Sequence, residues 1–361
     1  MFGVTGLGTV LVAWACAIGA LAAVTRAWPH LAHPGLRSVL TRVVAQLLVA
    51  VLLVVAAGAT VNRAGLWFVS WRDLGSVVLG PPTGALDAHG ATPATAAAAQ
   101  VGPWGPTSAA AIASPPSDTD PHTGLRSYSL TGPASGHTGT VFAWVPPQPV
   151  RSALQVFHGY PVSPQSAFAN LGLGDHGDGA LRHTVVLLPD WSPRELDTEC
   201  VDGPASAMET WLTTDVPAWA ARTFGVPAER TAWTALGYSA GGWCAAMSAM
   251  RHPETYAAAV SLGGYTRPLF APGYEPLSPT GGGHDLPLLA RRDPPPVAVL
   301  VQYSTRDTLV APSVEELVAA ARPPLSVTRW STPHSGHRVG AWKPLIPEAL
   351  AWLDHVVPGT A

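Results

Sequence analysis

Hydrophobic positions in this chain of 361 residues follow different rules in different places. Residues 4–24 and 43–61 are uncharged apolar runs without a polar face. Each is about 20 residues long, enough to cross ~30 Å of hydrocarbon as a helix. The stretch between them carries Arg26, Arg37 and Arg42 with His30 and His33, and the positive-inside rule assigns such a loop to the cytoplasmic side. Arg63 and Arg72 follow the second run, so the bias is modest. A cleaved signal peptide is the rival reading of the first run, but residues 1–8 hold no Arg or Lys and a second run follows. The pattern predicts a hairpin of two transmembrane helices with both ends outside. Trp67, Phe68 and Trp71 then suit the outer membrane interface.

Residues 80–124 are rich in Pro, Ala, Gly, Thr and Ser and sustain neither period, which reads as a flexible tether. Beyond residue 125 short apolar segments at 127–130, 140–145, 154–157, 184–188, 231–236, 257–262, 297–302 and 325–330 read as strands. Helical spacing appears at 209–224, where Trp211, Leu212, Val216 and Trp219 share a face, and at 242–250, 313–321 and 345–356. Strands alternating with helices predict an α/β domain with a mostly parallel sheet covered on both faces. The expected organisation is a membrane anchor at 1–76, a Pro/Ala/Gly-rich linker at 77–124 and a catalytic domain at 125–361.

Composition changes this picture little. Only 12% of residues are charged and the mean hydropathy is +0.22, both unusual for a purely soluble enzyme. Net charge is −3 and no basic run is interleaved with aromatics, so nucleic acid is not an expected partner. The cysteines are Cys16, in the first apolar run, and Cys200 and Cys244. They form no CxxC pair, which argues against a structural zinc site, and no metal or cofactor is expected. Cys200 and Cys244 can pair if the domain lies outside the cytoplasm, bracing the helix that follows residue 239.

The sharpest chemical signal is Gly237-Tyr238-Ser239-Ala240-Gly241-Gly242, a G-x-S-x-G between an apolar strand and a helix. In that context the serine sits on a turn too tight for side chains two residues away. Its hydroxyl stands above the sheet, and the next backbone N–H faces a developing oxyanion. Ser239 needs a base, and the base an orienting acid, in the chain order Ser, Asp or Glu, His. Asp307 follows the strand at 297–302, and His337 follows the strand at 325–330 and directly precedes the closing helix. His337 is preferred over His334 for that reason. Glu315 and Glu316 are set aside because they fall inside a helix. A second oxyanion donor is expected after the strand ending at Phe157, in His158-Gly159-Tyr160, so that the Tyr160 and Ala240 N–H groups form the hole. His158 precedes the nucleophile and reads as a structural or pocket residue.

Residues 154–353 resemble the esterase group of the α/β-hydrolase superfamily that includes esterase D and the bacterial mycolyltransferases. The match is carried by His158-Gly159, by Glu209-Thr210-Trp211-Leu212-Thr213 with Val216-Pro217-Ala218-Trp219, by the Ser239 motif, and by Gly336-His337 with Trp342. The resemblance implies an α/β-hydrolase fold, a serine acyl-enzyme, and ester hydrolysis or acyl transfer without a metal. The expected partners are a small-molecule or lipid ester substrate and the membrane, through the N-terminal helices. Mycolyltransferases are typically secreted without a two-helix anchor, and esterase D relatives are cytosolic, so neither substrate carries over. A non-catalytic binding protein and a peptidase are the competing classes. The intact triad candidates argue against the first, and the lack of a propeller or cap domain against the second.

Overall fold

The structure, a computed structural model, describes residues 3–79, 85–97, 116–193, 196–204, 206–270, 276, 282–333 and 335–357. Its contacts divide the chain into two units, residues 1–82 with 334–338, and residues 83–333 with 339–361.

The first unit contains helices α1 (Leu7–Leu31), α2 (Leu36–Gly65) and α3 (Trp71–Leu79). The first two are long and apolar enough to cross a membrane, with mean hydropathies of 2.2 and 2.5 in their best windows. They pair through small residues: Ala17 and Ala56 are fully buried, as close helix approach in lipid favours. Trp14 Nε1 donates to Thr60 Oγ1 at 3.0 Å and Arg63 to the Thr5 carbonyl at 2.7 Å. Leu11, Ile18, Val44, Leu47, Val51 and Val54 point outward and are exposed, as a lipid-facing surface would be.

The second unit is built on a sheet of strands β1 (Ala85–Gly90), β2 (Asp118–Thr119), β3 (Arg126–Thr131), β4 (Thr138–Trp144), β5 (Ser152–Phe157), β6 (Thr184–Pro189), and, after a small hairpin of β7 (Asp202–Gly203) and β8 (Ser206–Ala207), of β9 (Trp233–Tyr238), β10 (Ala258–Leu262), β11 (Ala298–Tyr303) and β12 (Ser326–Ser331). Their order in the sheet is β1-β12-β11-β10-β9-β5-β6-β4-β3-β2. From β12 across to β6 every pairing is parallel, while β1 and the β4–β3–β2 side run antiparallel. The central strands β5, β6, β9, β10 and β11 are buried at every position, which requires helices on both faces. These are α4 (Pro93–Ala96), α5 (Pro164–Leu171), α6 (Met208–Thr210), α7 (Val216–Phe224), α8 (Ala240–Arg251), α9 (Leu286–Arg292), α10 (Ala311–Ala320), α11 (Val339–Trp342) and α12 (Ile346–Val356). Two hydrophobic cores result. One gathers Trp211, Trp233, Trp243 and Leu317, the other Phe168, Leu236, Trp342 and Leu350.

Part of the stretch read as linker belongs to the sheet. β1 pairs with β12 from Ala85↔Ser331 to Gly90↔Ser326, and Ala96 and Ala97 are buried in the core that holds α12. The segment Ala-Leu-Asp-Ala-His-Gly has weak strand propensity and is held by its partner, with Arg329 Nη2 2.6 Å from Asp87. Residues 98–115 lie outside the described residues.

Between α6 and α7 one turn, Trp211–Asp215, is π-helical. Such a turn leaves backbone groups without helical partners. Here the Leu212 carbonyl accepts from Gln155 Nε2 at 3.0 Å and from the Tyr256 hydroxyl at 3.2 Å. The Asp215 carboxylate accepts from the Ala134 and Ser135 N–H groups, each at 3.0 Å.

Candidate active site

Strand β9 runs into α8 through a turn of one residue, Ser239, with φ 56° and ψ −128°. A non-glycine residue rarely occupies that region, and the strain persists only where the surroundings impose it. They do so here. A side chain at position 237 would meet the Gly241 carbonyl oxygen at 2.0 Å, and one at 241 would meet the Phe157 carbonyl oxygen at 2.1 Å. The Ser239 N–H donates to the Leu262 carbonyl at 2.9 Å, tying the elbow to β10. The helix that follows opens with Ala240, nearly buried, so its N-terminal N–H groups face the same turn.

The Gly241 approach also fixes the end of β5 against the start of α8. Beyond β5, His158 is fully buried. It stacks on Trp191 with ring centroids 5.0 Å apart, and its Nδ1 lies 3.0 Å from the Gly159 carbonyl. Burial holds its pKa below the ordinary histidine value, against the Gly159 carbonyl and Asp190. Trp191 Nε1 donates to the His158 carbonyl at 3.0 Å. His158 thus serves to shape the turn, and Tyr160 follows it with its side chain partly exposed.

Asp307 sits beyond the end of β11 and is 3% exposed. Its Oδ1 accepts from the N–H groups of Leu309 and Val310 at 3.0 and 3.1 Å, which fixes the carboxylate at the entrance to α10. The helix carboxylates are otherwise engaged. Tyr303 donates to Glu315, and Glu316 accepts from Arg267 and Arg291 at 2.8 and 2.9 Å. Ser239 and Asp307 belong to the second unit, at the ends of parallel strands. His337 belongs to the first, where its N–H donates to the Leu66 carbonyl at 3.0 Å. His334 lies outside the described residues.

Cys200 and Cys244 form a disulfide with Cα atoms 5.7 Å apart, as expected from the sequence, while Cys16 is free and exposed. The bond braces α8 one turn beyond Ser239. Around it lies a group that sequence reading missed. Trp243 Nε1 donates to the Glu199 carbonyl at 2.9 Å, Trp243 stacks on Tyr265, and the Tyr265 hydroxyl donates to the buried Glu199 carboxyl. Burial pushes the Glu199 pKa up to about 8, with Asp197 adding to the rise and the Tyr265 hydroxyl opposing it. The only clue in the sequence was the position of Glu199 beside Cys200.

The motif at 209–213 has a different task. Glu209 Oε1 accepts from Arg251 Nε at 2.7 Å and pairs with His252 Nε2 at 2.9 Å, and its Oε2 pairs with His284 Nε2 at 2.7 Å. It therefore pins the far end of α8, not the nucleophile. Among the described residues no cluster of three or more His, Cys, Asp or Glu side chains could hold a metal.

Residues 198–353, which contain Ser239, Asp307 and His337, match the family described as “Putative esterase”. A segment of 86 residues is 31% identical to an uncharacterized protein of Corynebacterium glutamicum, and covers 24% of this chain and 20% of that protein's length. An S-formylglutathione hydrolase from Agrobacterium tumefaciens superposes with a TM-score of 0.55 at 16% identity, over 68% of this chain and 100% of that one. A fluorophosphonate-binding serine hydrolase of Staphylococcus aureus does so with a TM-score of 0.52 at 16% identity, over 63% and 97%. With the sheet order and the elbow described above, the structural similarities show an α/β-hydrolase fold, within which residues 198–353 are similar to that esterase family.

Proposed function

We propose that this chain is a membrane-anchored serine esterase or acyltransferase whose catalytic unit works outside the cytoplasmic membrane. The observation that carries the reading is the backbone of Ser239, a serine held at φ 56° between a buried strand and the N-terminus of a helix. Nothing in packing alone favours a serine there, whereas nucleophilic attack above the sheet requires it.

In the proposed mechanism His337 takes the proton from Ser239 Oγ as that oxygen adds to the ester carbonyl. Asp307 orients the imidazole and stabilises its charged form. The Tyr160 and Ala240 N–H groups hold the oxyanion. When the intermediate collapses, the C–O bond to the alcohol breaks and His337 returns the proton to the leaving oxygen. Water, or an acceptor hydroxyl, then attacks the acyl-enzyme by the same route in reverse and frees Ser239. The similarity of the catalytic unit to esterases and the chain order of the three residues support this assignment. The arginine-bearing loop between α1 and α2, and a disulfide of a kind that persists in oxidising compartments, support the outward placement.

The test is turnover of short and medium p-nitrophenyl esters by the full-length protein in detergent, with fluorophosphonate labelling of intact cells beside it. Ser239→Ala and His337→Ala each lower kcat by at least about 10³-fold, and the double variant is little worse, because the residues act as a unit. Asp307→Asn leaves more residual activity, and His334→Ala stays within a few-fold of wild type. Wild-type turnover in Ser239→Ala would sink the reading. An inactive His334→Ala beside an active His337→Ala would move the base to His334.

A further inference from the structure

The segment joining α2 to α3 is far more ordered chemically than a tether needs to be. At the end of α2, Asn62 is 7% exposed, and its side-chain amide bonds both backbone groups of Phe68: Nδ2 donates to the Phe68 carbonyl at 2.9 Å, and the Phe68 N–H donates to Oδ1 at 2.8 Å. Leu66 closes the helix at φ 53°, a left-handed conformation that leucine rarely adopts. Asp73 is fully buried. Its Oδ2 accepts from the Val69 N–H at 2.9 Å, and its backbone N–H donates to Ser70 Oγ at 3.0 Å.

The groups that complete this turn come from the other end of the chain. Arg338 Nη1 lies 2.8 Å from Asp73 Oδ1 and donates to the Trp67 carbonyl at 2.9 Å, across 271 positions of sequence. Its guanidinium stacks over the Phe68 ring at 4.4 Å, and Nη2 reaches Ser76 Oγ at 3.3 Å. The His337 N–H donates to the Leu66 carbonyl at 3.0 Å. Gly336 packs so closely that a side chain there would meet the Trp67 carbonyl oxygen at 1.8 Å. Residues 336, 337 and 338 are thus each held by the membrane-proximal turn. A buried ion pair adds little net stability, since desolvation offsets its attraction. What it does impose is one geometry, and the strained Leu66 points the same way.

We infer that residues 62–76 form a clamp that positions the His337 loop, so that the membrane anchor is a working part of the enzyme and not only its tether. This rests on the reading of His337 as the base. Leu66, Asp73 and Arg338 are positioning residues. They act through His337, and misplacing a catalytic group by about 1 Å can cost ~100-fold in rate.

The experiment uses the full-length chain in detergent, with Asp73→Ala, Arg338→Ala and Gly336→Ala measured beside Ser239→Ala and His337→Ala, and circular dichroism to check folding. Asp73→Ala leaves a half-buried arginine without its carboxylate and can unfold the turn. Gly336→Ala removes no charge and displaces the loop by crowding the Trp67 carbonyl at 1.8 Å and Asp73 Oδ2 at 2.9 Å, and Arg338→Lys keeps the charge and recovers part of the loss. Each clamp variant lowers kcat by about 10–100-fold with KM within about two-fold. In a His337→Ala background each costs nothing further, because its effect passes through His337. Wild-type kcat in folded Gly336→Ala and Arg338→Ala overturns the clamp, as does a loss that persists undiminished in the His337→Ala background. Either result leaves the triad standing so long as Ser239→Ala and His337→Ala are inactive. Turnover by Ser239→Ala condemns the triad itself.

Discussion

Among the described residues, the non-glycine positions with positive φ are Leu66, Glu199, Cys200 and Ser239. Each costs on the order of 1 kcal/mol or more, and none sits in an ordinary surface turn. Ser239 is the elbow, Glu199 and Cys200 carry the disulfide to α8, and Leu66 receives the His337 N–H. Strain is concentrated where chemistry is proposed. Glu199 adds an electrostatic cost to the conformational one. With its pKa pushed up to about 8 by burial, it keeps its proton in the folded protein at neutral pH, while the unfolded chain releases it near the usual carboxylate value. The folded state then binds more protons between those two values, so stability falls as pH rises across that interval. Glu199→Gln keeps the shape and the neutral charge. It is expected to leave stability nearly unchanged near pH 4.5 and to raise it relative to wild type by up to on the order of 3 kcal/mol at pH 8. Urea unfolding followed by tryptophan fluorescence across that range would decide. Parallel curves for the two proteins would mean that Glu199 is charged in the folded state.

The elements show why some of this architecture was readable in advance. Strands β5, β6, β9, β10 and β11 are short runs closed by turn residues and buried on both faces, too short for helices, so their pattern was readable as strands. The elbow was legible because its glycines form a short motif, although Gly241 is required by the approach of the Phe157 carbonyl from β5 as much as by the turn itself. β1 was not legible, because its stability comes from pairing with a strand more than 230 residues away. The clamp around Asp73 and Arg338 was hidden for the same reason. The segment at 209–213 was recognisable as a motif, but its purpose appeared only when Glu209 met Arg251, His252 and His284. That cluster makes α8 sensitive to pH. Burial opposes a charge on His252, but Glu209 and Glu254 outweigh it and raise its pKa to about 9, with Arg251 and His284 also facing Glu209. The folded pKa lies above the unfolded one near 6.5, so the stabilisation is complete below pH ~6.5 and is lost as pH rises through 9. The Glu209 carboxyl is shifted the opposite way. Burial alone would raise its pKa, but His252, His284 and Arg251 hold it well below the usual range. Its contribution is therefore present above the ordinary carboxylate pKa and disappears only in strong acid. Between pH 7 and 10 the wild type is expected to lose on the order of 1–3 kcal/mol that His252→Gln, already weaker at pH 7, does not lose. Equal slopes in the two unfolding series would show that His252 is neutral in the native state.

At the scale of the whole molecule, the chain passes between the two units more than once. β1 lies between α2 and residues 98–115 in sequence, yet it is the edge strand of the catalytic sheet. It is held there by its ladder to β12, the Asp87–Arg329 ion pair and the buried Ala96 and Ala97. A protease acting outside the membrane is expected to cut within 98–115, where the sequence is dense in Ala, Gly, Pro and Ser. Such a cut leaves β1 on the N-terminal fragment, still covalently joined to α1 and α2. The C-terminal fragment would lose its peptide link to the membrane but keep a strand of its sheet there. Limited proteolysis of spheroplasts should therefore produce two fragments on a denaturing gel while the catalytic fragment still sediments with the membranes. Urea should then free it, since separating the fragments requires stripping an edge strand from β12 and breaking the contacts of residues 336–338 with residues 62–76. Release into the supernatant under native conditions would mean that neither β1 nor the contacts of residues 336–338 with residues 62–76 hold the fragments with the strength assigned to them. Protection of the chain until the cells are lysed would instead place the catalytic unit on the cytoplasmic side. That outcome would refute the topology drawn from Arg26, Arg37 and Arg42 and leave the strand pairing untouched.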